Sequence, residues 1–428
     1  MSVFDEFVWR GLVRDATEGA REALAAGPVT AYIGFDPTAS SLHVGSLLTV
    51  MGLARLQRFG HTPIAIVGGG TGMIGDPSGK SLERVLLSRE QVDDNAAGIR
   101  TQLERFLDFS AALNAARIVN NADWLDAIDV LSFLRDVGKH FTVNYMLQKD
   151  SVSRRLESED GISYTEFSYL VLQAYDFLQL FDRYACTFQM GGSDQWGNIT
   201  AGTDLIRRVR GQKAYGLVWP LLKTSSGTKF GKTEAGTVWL DPERTSPFRF
   251  YQFWLNTDDR EVVSHLKLFT WLDRAAIDAA ERTVIEAPAA RDAQRTLACE
   301  VTLMVHGADE LRRAERATAV LFGGSLAEAS VDEILTVFDD VPATVLTAAE
   351  IGVLTHAALA AKVGLAASNG EASRLIKQGG LYFNDRRVTD DRALVALSEA
   401  IGGQVMVLRK GQRDRRIVKI SPGPIGGV

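Results

Sequence analysis

With 428 residues, the chain is too long for one compact core and is expected to form two or three domains. Its composition, 46% hydrophobic and 23% charged residues, is that of an ordinary soluble enzyme. Cys186 and Cys299 lie far apart without partners at metal-ligand spacing, so neither a disulfide framework nor a structural zinc site is indicated, and the reducing cytoplasm is the expected location. The sequence lacks the apolar stretch of a signal peptide and any run of roughly 18 apolar residues, so a membrane span is not predicted.

The net charge of −6 is distributed unevenly along the chain. Residues 345–428 contain 12 Lys/Arg and 7 Asp/Glu, so this segment carries +5 and the preceding residues carry −11. A uniformly acidic chain would argue against a nucleic-acid partner. A basic C-terminal segment, in contrast, can hold RNA while the larger part carries the acidic balance.

The first part of the chain alternates helix and strand patterns. The predicted elements, in chain order, are a helix up to about residue 26, a strand at 31–33, a helix over 43–59, a strand over 63–67, a charged helix over 85–109 and a strand over 117–119. Strands that alternate with helices at this spacing predict a parallel sheet.

Residues 32–46 (YIGFDPTASSLHVGS) run from a strand through a proline turn into a helix. Pro37 fixes its own φ and biases the preceding residue away from the helical region, so the chain turns there. Ser40 or Ser41 is expected to cap the helix that follows. A strand that ends where a helix begins is a common ligand site in α/β proteins.

The first turns of this helix place His43 and Ser46 on one face, and Gly45 leaves room for a planar ring against the backbone. Unpaired N–H groups and the positive end of the helix dipole suit a polyphosphate. A single histidine in a first turn is more often a surface or capping residue. The prediction of a phosphate site therefore depends on the whole stretch.

Residues 120–185 are predicted to be mostly helical. Ile128, Leu131, Leu134 and Val137 form an apolar stripe at helical spacing. From periodicity alone, an internal core helix is the preferred interpretation.

The remainder of the chain is predicted to be helical over 246–322, followed by a linker over 326–347 with one short helix. Ser368 and Glu371 have the spacing of a capping box, and residues 381–388 are typical of a hairpin with its turn at Asn384. This arrangement leaves a basic set facing outward, namely Arg374, Lys377, Arg386 and Arg387. A solvated surface is the alternative interpretation of that set.

Residues 70–75 (GTGMIG) follow a strand and match the dinucleotide pattern G-x-G-x-x-G. The acidic residue expected at the end of a second strand is missing, because Glu90, Asp93 and Asp94 fall in a helical pattern. A nicotinamide site is therefore not predicted.

Four stretches together resemble a known family. Residues 35–46 (FDPTASSLHVGS) and 229–233 (KFGKT) resemble the two ATP-binding motifs of class I aminoacyl-tRNA synthetases. Residues 168–176 (SYLVLQAYD) and 189–198 (QMGGSDQWGN) are similar to the amino-acid pocket of the bacterial tyrosyl-tRNA synthetases. The resemblance extends from about Trp9 into the C-terminal module.

The family implies an α/β fold: a Rossmann-like nucleotide-binding domain with a parallel sheet, an α-helical domain, and a small α+β domain of the S4 type. It implies the boundaries 1–222 for the catalytic domain, 223–322 for the lysine loop and helical anticodon-binding domain, 323–350 for a linker and 351–428 for the RNA-binding domain. The helical insertion at about 120–185 then lies at a homodimer interface, contrary to the core interpretation of the apolar stripe.

The resemblance also implies the site residues. Those acting on ATP and pyrophosphate are His43, Ser46, Thr38, Lys229, Lys232, Thr233, Lys80 and Arg84. Those binding tyrosine are Tyr32 and Asp176 at the phenol, with Asp76, Tyr169, Gln173 and Gln195 around the ammonium group. Further ATP-binding positions are Gly34, Asp36, Gly45, Gly192, Asp194, Leu222, Phe230 and Gly231. The RNA-binding residues are the basic set of the C-terminal module.

The implied reaction activates tyrosine with ATP and Mg²⁺, without a tightly bound protein-coordinated metal, and transfers it to tRNA. Two positions depart from the common motifs: Ser46 replaces a histidine and Gly231 replaces a serine. The alternatives are a catalytically silent, synthetase-derived RNA-binding protein, a tryptophanyl relative and a pantothenate-type nucleotidyltransferase. The paired Tyr32 and Asp176, the two motif lysines and the basic module favour the tyrosyl enzyme.

Overall fold

The computed structural model describes residues 2–78, 86–157, 161–222, 230–233, 236–321, 326, 329–339, 341–411 and 414–421. The chain divides into two compact units, of which the first comprises residues 1–245 and 253–301 and the second residues 246–252 and 302–428. In the described part of the chain, no helix combines the length and apolar character needed to cross a membrane.

The first unit is built on a sheet of six described strands. The strands are β1 (Asp15–Ala16), β2 (Thr30–Phe35), β3 (Thr62–Val67), β4 (Arg117–Asn120), β5 (Cys186–Gly192) and β6 (Tyr215–Trp219). They lie in the order β1-β6-β5-β2-β3-β4, and all neighbours are parallel except the β1–β6 pair at one edge. The predicted parallel α/β sheet is confirmed.

The strand order reverses direction between β2 and β5. From β2 the chain adds β3 and β4 on one side, and it then returns to place β5 and β6 on the other side. In open parallel sheets, ligands bind beyond the carboxyl ends of the strands at such a switch point. The stretches after Phe35 and after Gly192 begin at these ends.

Along the chain, the helices of this α/β region are interspersed with the strands of the sheet. They are α1 (Val3–Trp9), α2 (Ala20–Ala26), α3 (Val44–Arg58), α4 (Arg89–Leu103), α5 (Ala122–Leu125), α6 (Val130–Ser132), α7 (Val143–Leu147), α8 (Asp150–Leu156), α9 (Tyr164–Tyr184) and α10 (Trp196–Arg210). The expected continuous helix up to residue 26 is interrupted. Gly11 and Gly19 adopt left-handed φ values of 76° and 83°, which end α1 and begin α2.

The core interpretation of the apolar stripe in residues 128–137 is wrong for two of its members. The side chains of Leu131 and Leu134 are 74% and 48% exposed, whereas Val137 is buried. The segment is also irregular, since α6 passes into a π-helical turn over Phe133–Val137. Periodicity indicates which residues share a face, but it does not indicate what covers that face.

A small antiparallel pair, β7 (Lys232–Thr233) and β8 (Gly236–Thr237), follows the sheet. The expected helical stretch after residue 246 is present. Its helices are α11 (Pro247–Leu255), α12 (Asp259–Phe269), α13 (Arg274–Glu286), α14 (Asp292–His306) and α15 (Ala308–Leu321).

The second unit contains a mostly antiparallel sheet of five described strands in the order β11-β10-β12-β13-β9. Its strands are β9 (Ala343–Thr347), β10 (Leu381–Phe383), β11 (Arg386–Arg387), β12 (Val405–Lys410) and β13 (Asp414–Ser421), and its further helices are α16 (Val331–Val337), α17 (Ala348–Ile351), α18 (His356–Lys362) and α19 (Asn369–Lys377). The predicted hairpin is present, with Asn384 and Asp385 in the left-handed region.

The predicted linker contains more structure than one short helix. Besides α16, it includes β9, which pairs in parallel with β13 and so belongs to the C-terminal sheet. Side chains of that sheet share a hydrophobic cluster with the helices of the same unit, including Val405, Val407 and Ile417 with Phe248, Ala317 and Ile334. This contact between distant parts of the sequence could not be read from local composition.

Candidate active site

The turn into α3 is organised by His43. This residue, rather than Ser40 or Ser41, is the N-cap of α3, and its Nδ1 accepts a hydrogen bond of 3.2 Å from the Ser46 backbone N–H. The Ser46 hydroxyl lies 3.4 Å from the same nitrogen. Because an N–H can only donate, Nδ1 carries the lone pair and the proton of the neutral ring lies on Nε2. His43 is thereby set to donate from Nε2.

The glycines of the two motifs allow close approach between them. A Cβ on Gly45 would lie 2.8 Å from Cε1 of His43 and 3.6 Å from the Phe230 carbonyl oxygen. Gly231 has φ +84°, and its Cβ would lie 2.7 Å from Cγ2 of Val44. The backbone of Phe230 and Gly231, within the lysine motif, therefore lies directly against the first residues of α3.

Several predicted phosphate-binding residues lie wholly or partly outside the described structure. Lys80, Arg84 and Lys229 are not among the described residues, and for Lys232 and Thr233 only the backbone of β7 is described. Their assignment stays a prediction. Within the lysine motif, the Phe230 N–H donates a hydrogen bond of 3.2 Å to the Leu222 carbonyl oxygen.

The remaining predicted ATP positions lie at the carboxyl ends of β2 and β5. Gly34 and Thr38 are exposed, and no atom of the described residues lies within 4 Å of a Cβ built on Gly34, so a ligand can approach the backbone there. Gly192 ends β5, and a Cβ on it would lie 2.5 Å from Oδ1 of Asp194. Both ends therefore present open or glycine-lined backbone at the switch point.

A hydrogen-bonded chain of polar side chains starts at Asp36, just beyond β2. Its Oδ2 accepts from the Tyr169 hydroxyl at 2.7 Å and its Oδ1 from the Thr71 hydroxyl at 2.8 Å. Thr71 in turn accepts from Nδ2 of Asn121 at 2.9 Å. Asp36 is thus held by protein groups on two sides, which fixes the carboxylate at the edge of the predicted ATP region.

The same series of hydrogen-bonded side chains continues to Asp176, which is 3% exposed. Asn121 donates from Nδ2 to its Oδ2 at 2.9 Å, and Trp124 donates from Nε1 to its Oδ1 at 2.7 Å. Burial raises the pKa of Asp176 to about 7, and the two hydrogen bonds act in the opposite direction. This burial excludes a solvent-exposed position of the carboxyl group on the helix surface.

Tyr32 lies at the centre of the sheet and is 1% exposed. Its ring packs edge to face on Phe177, with centroids 5.2 Å apart, and its hydroxyl has no hydrogen-bond partner among the described residues. Burial, followed by the charge of Asp176, raises the pKa of Tyr32 well above its ordinary value. A buried hydroxyl without a partner costs free energy unless a ligand satisfies it. Tyr32 and Asp176 thus offer a buried donor and acceptor to one polar ligand group.

A second polar cluster, here called the amide cluster, consists of Asp76, Ser78, Gln173, Gln195 and Asn198. Gln195 donates from Nε2 to Oδ2 of Asp76 at 2.6 Å, and Gln173 donates to Oε1 of Gln195 at 3.2 Å. Asn198 donates to Oε1 of Gln173 at 2.9 Å, and the Ser78 N–H donates to Oδ1 of Asp76 at 2.9 Å. The cluster presents carbonyl and carboxylate oxygens, which suits an ammonium group.

Helix α9 connects the two clusters. Tyr169, Gln173 and Asp176 stand four and three positions apart, so they share one face of this helix. Tyr169 reaches Asp36, Gln173 belongs to the amide cluster, and Asp176 lies by Tyr32. One rigid element therefore sets the spacing between the parts that would receive the two ends of an amino acid.

In the glycine-rich loop after β3, two backbone N–H groups donate to side chains of the protein. The Gly69 N–H donates to Oδ1 of Asn120 at 3.2 Å and the Gly70 N–H to Oδ1 of Asn121 at 2.8 Å. Because these two backbone donors are already paired, they are not available to cradle a pyrophosphate.

Sequence reasoning missed Thr71, Asn121, Trp124, Ser78 and Asn198. These residues touch the predicted ligand-binding side chains and hold them in place. No local pattern distinguishes Asn121 or Trp124, because their partner Asp176 stands more than 50 positions away. Asn198 ends one of the four motif stretches, and its place one helical turn after Gln195 is a signal that could have identified it.

The predicted RNA-binding residues are all exposed in the second unit. Arg374 and Lys377 lie in the last turn of α19, and Arg386 and Arg387 form β11. A Cβ on Gly379 would overlap the Arg387 guanidinium, so that side chain lies against the C-terminal end of α19. The structure thereby brings Arg387 to the helix end that carries the other two basic side chains.

Family comparisons cover both units of the chain. The family described as tRNA synthetases class I (W and Y) matches residues 24–323. The family described as the tyrosine--tRNA ligase SYY-like C-terminal domain matches residues 333–418.

Individual relatives agree with these matches. The tyrosine--tRNA ligase of Roseiflexus castenholzii is 54% identical over 98% of this chain and 99% of its own length, and that of Geobacillus stearothermophilus is 49% identical over 98% and 100%. Among solved structures, a C-terminally truncated mitochondrial tyrosyl-tRNA synthetase of Aspergillus nidulans has a TM-score of 0.68 at 31% identity, covering 75% of this chain and 94% of that one.

Proposed function

This chain belongs to the class I tRNA synthetases of the W and Y family, and we propose on this basis that it is a tyrosine--tRNA ligase. In the first step a carboxylate oxygen of L-tyrosine attacks the α-phosphorus of ATP, and the bond to the bridging oxygen of pyrophosphate breaks. In the second step a ribose hydroxyl of the 3′-terminal adenosine of tRNA(Tyr) attacks the tyrosyl carbonyl, and AMP leaves.

The observation that carries this proposal is the buried pair of Tyr32 and Asp176. The Tyr32 hydroxyl is satisfied by the phenol oxygen of the substrate, and Asp176 accepts the phenol proton in a hydrogen bond. Phenylalanine would leave both groups buried without that partner, which costs more than the loss of one hydrogen bond in water. The pair therefore selects tyrosine against its closest apolar analogue.

The amide cluster and Tyr169 receive the ammonium end of tyrosine. Asp76 supplies a carboxylate there, and Gln173 and Gln195 supply carbonyl oxygens. Because α9 carries residues of both ends of the pocket, the substrate carboxylate is aligned toward the predicted ATP site at the ends of β2 and β5. Alignment of this kind is a large part of catalysis when no covalent enzyme intermediate forms.

ATP is bound by the turn into α3 and by the lysine motif. His43 donates from Nε2 to a phosphate, and Ser46 and Thr38 add hydroxyl donors. Lys229, Lys232 and Thr233, with Lys80 and Arg84, place positive charge and donors near the departing pyrophosphate. Glycine at 45 and 231 lets the two segments approach each other.

Magnesium enters this reaction with ATP. Phosphate oxygens are the hard ligands that Mg²⁺ prefers, and the described residues contain no group of three His, Cys, Asp or Glu side chains that could hold a metal ion. When bound, the ion offsets phosphate charge. A cytoplasmic location is part of the same proposal.

The working molecule is a homodimer that binds tRNA(Tyr). The exposed apolar side chains of the insertion support the dimer, and they include Val130, Leu131, Leu134, Val143 and Tyr164. The exposed set Arg374, Lys377, Arg386 and Arg387 supports contact with RNA phosphates.

The test is exchange of labelled pyrophosphate into ATP, measured without tRNA and with tyrosine, phenylalanine or tryptophan. Exchange with tyrosine alone is the expected result. Exchange with tryptophan would favour the tryptophanyl relative. Absence of exchange in a folded protein that binds tRNA would replace the proposal with the catalytically silent RNA-binding protein.

A further inference from the structure

A short antiparallel bridge joins the start of α3 to the chain just after the lysine motif. The Val44 N–H donates to the Val238 carbonyl oxygen at 3.0 Å, and the Leu240 N–H donates to the Leu42 carbonyl oxygen at 2.9 Å. His43 and Trp239 are the bridged pair between these bonds. This is the non-hydrogen-bonded type of pair, in which facing side chains come closest.

The imidazole of His43 and the indole of Trp239 meet across this bridge. Their centroids are 6.1 Å apart and their planes are inclined by 61°, which is the edge-to-face arrangement that aromatic rings favour. Trp239 is itself held, because its backbone N–H donates to the Thr245 hydroxyl at 3.0 Å and the Arg244 guanidinium lies 3.7 Å from the ring centroid.

The imidazole therefore has fixed neighbours on several sides. The Ser46 N–H donates to Nδ1, the Gly45 backbone lies close to Cε1, and Trp239 limits how the ring can turn about its bond to Cβ. A turn of the ring would break the bond to Ser46 and move the Nε2 proton away. Trp239 follows the lysine motif, yet no sequence pattern assigns it a function.

We propose that Trp239 is a positioning residue for tyrosine activation, acting through the His43 imidazole so that its Nε2–H meets an ATP phosphate. This inference rests on the proposed role of His43. Trp239 does not itself contact the reacting atoms in this proposal, so its removal changes the turnover of ATP while tyrosine binding is retained.

The experiment compares full-length Trp239→Leu with the wild-type protein in tyrosine-dependent pyrophosphate exchange. We expect kcat to fall by about tenfold, since misplacement of one catalytic group has effects of at least this order. The KM for tyrosine should stay within about twofold, and Trp239→Phe, which keeps an aromatic edge, should recover most of the rate. Trp271→Leu is the matched control, because Trp271 is also partly buried beneath an arginine, with the Arg58 guanidinium 3.4 Å from the ring centroid.

A double-mutant cycle with His43→Ala decides whether the effect passes through the imidazole. In the His43→Ala background, Trp239→Leu should lower the remaining rate by less than about twofold. The proposal would be overturned if the rate losses of the two single variants multiplied in full in the double variant. An unchanged kcat in Trp239→Leu would also overturn it. If circular dichroism shows that Trp239→Leu does not fold, the exposed Arg244, whose guanidinium lies over the Trp239 ring, is replaced instead, as Arg244→Leu. We expect Arg244→Leu to lower kcat by less than Trp239→Leu does, and to have no further effect in the His43→Ala background. Failure of wild-type exchange would instead refute the proposed function itself.

Discussion

At Asp176, burial and hydrogen bonding act in opposite directions on one carboxyl group. Burial raises its pKa from 3.8 to about 7, while donors on Asn121 and Trp124 favour the ionised form and limit the rise. The carboxylate is the form that accepts the substrate phenol. The kcat/KM for tyrosine should therefore rise as the pH increases through about 7 and level off above that value.

Removing the indole donor tests this balance. Trp124→Phe deletes the hydrogen bond of 2.7 Å that lowers the pKa of Asp176, so the midpoint of the kcat/KM profile should move to higher pH. The measurement is kcat/KM for tyrosine over the range from about pH 5.5 to 9. Trp271→Phe is the control and should leave the midpoint in place. An unshifted midpoint in Trp124→Phe would show that another group controls the profile.

At the scale of elements, the start of α3 and the hairpin β7–β8 must fit together. Gly231 precedes β7, and Gly236 begins β8. Both have left-handed φ values, +84° and +110°, so an alanine is strained at either position. They differ in surroundings, because a Cβ on Gly231 meets Val44 whereas a Cβ on Gly236 meets none of the described residues within 4 Å.

The pair Gly231→Ala and Gly236→Ala separates packing from backbone strain. We expect Gly231→Ala to slow tyrosyl-adenylate formation by about tenfold, since the added methyl group displaces the chain beside Lys232 from α3. Gly236→Ala should have a smaller effect from strain alone. Single-turnover measurement of adenylate formation gives the comparison. Equal losses in the two variants would mean that the contact with Val44 does not matter for the reaction.

At the scale of the whole molecule, the charge split predicts that activation and tRNA binding can be separated. Deleting residues from 351 onward would remove Val405, Val407 and Ile417 from a shared core and leave β9 without β13, so point changes are the cleaner test. Arg386→Gln/Arg387→Gln should leave pyrophosphate exchange unchanged and weaken tRNA(Tyr) binding.

The tRNA affinity of this double variant should be measured across salt concentrations. The slope of log K against log salt should fall by about one for each phosphate that the variant no longer neutralises. Arg392→Gln, at an exposed site of the same domain, is the control and should keep the wild-type slope. A double variant with wild-type affinity and slope would remove β11 from the RNA interface.

Association of two chains into a dimer should depend on the exposed apolar side chains of the insertion. Leu131 is 74% exposed, and Leu131→Glu would bury a charge if this face meets its copy. We expect the variant to sediment as a monomer at concentrations where the wild-type protein is a dimer. Leu113→Glu is the control, since Leu113 is 97% exposed in a different segment. A dimeric Leu131→Glu protein would place the interface elsewhere.

Features with local causes could be predicted from sequence. The spacing of Tyr169, Gln173 and Asp176 places them on one face of any helix, and the Asn384–Asp385 turn follows from residues that tolerate positive φ. The alternation of strands and helices was sufficient to predict the parallel sheet, although it did not identify β5 and β6 as strands. In each case the physical cause lies within a few residues of the feature.

Only the tertiary structure decided the features that join distant residues. Asn121 and Trp124 hold Asp176 from more than 50 positions away, and Trp239 meets His43 across a bridge that no local pattern indicates. The cap of α3 is His43 because the Ser46 N–H donates to its ring, although serines stand nearby. The exposure of Leu131 likewise depends on what packs above it. Sequence determines which groups are available, whereas burial and partners exist only once the chain has folded.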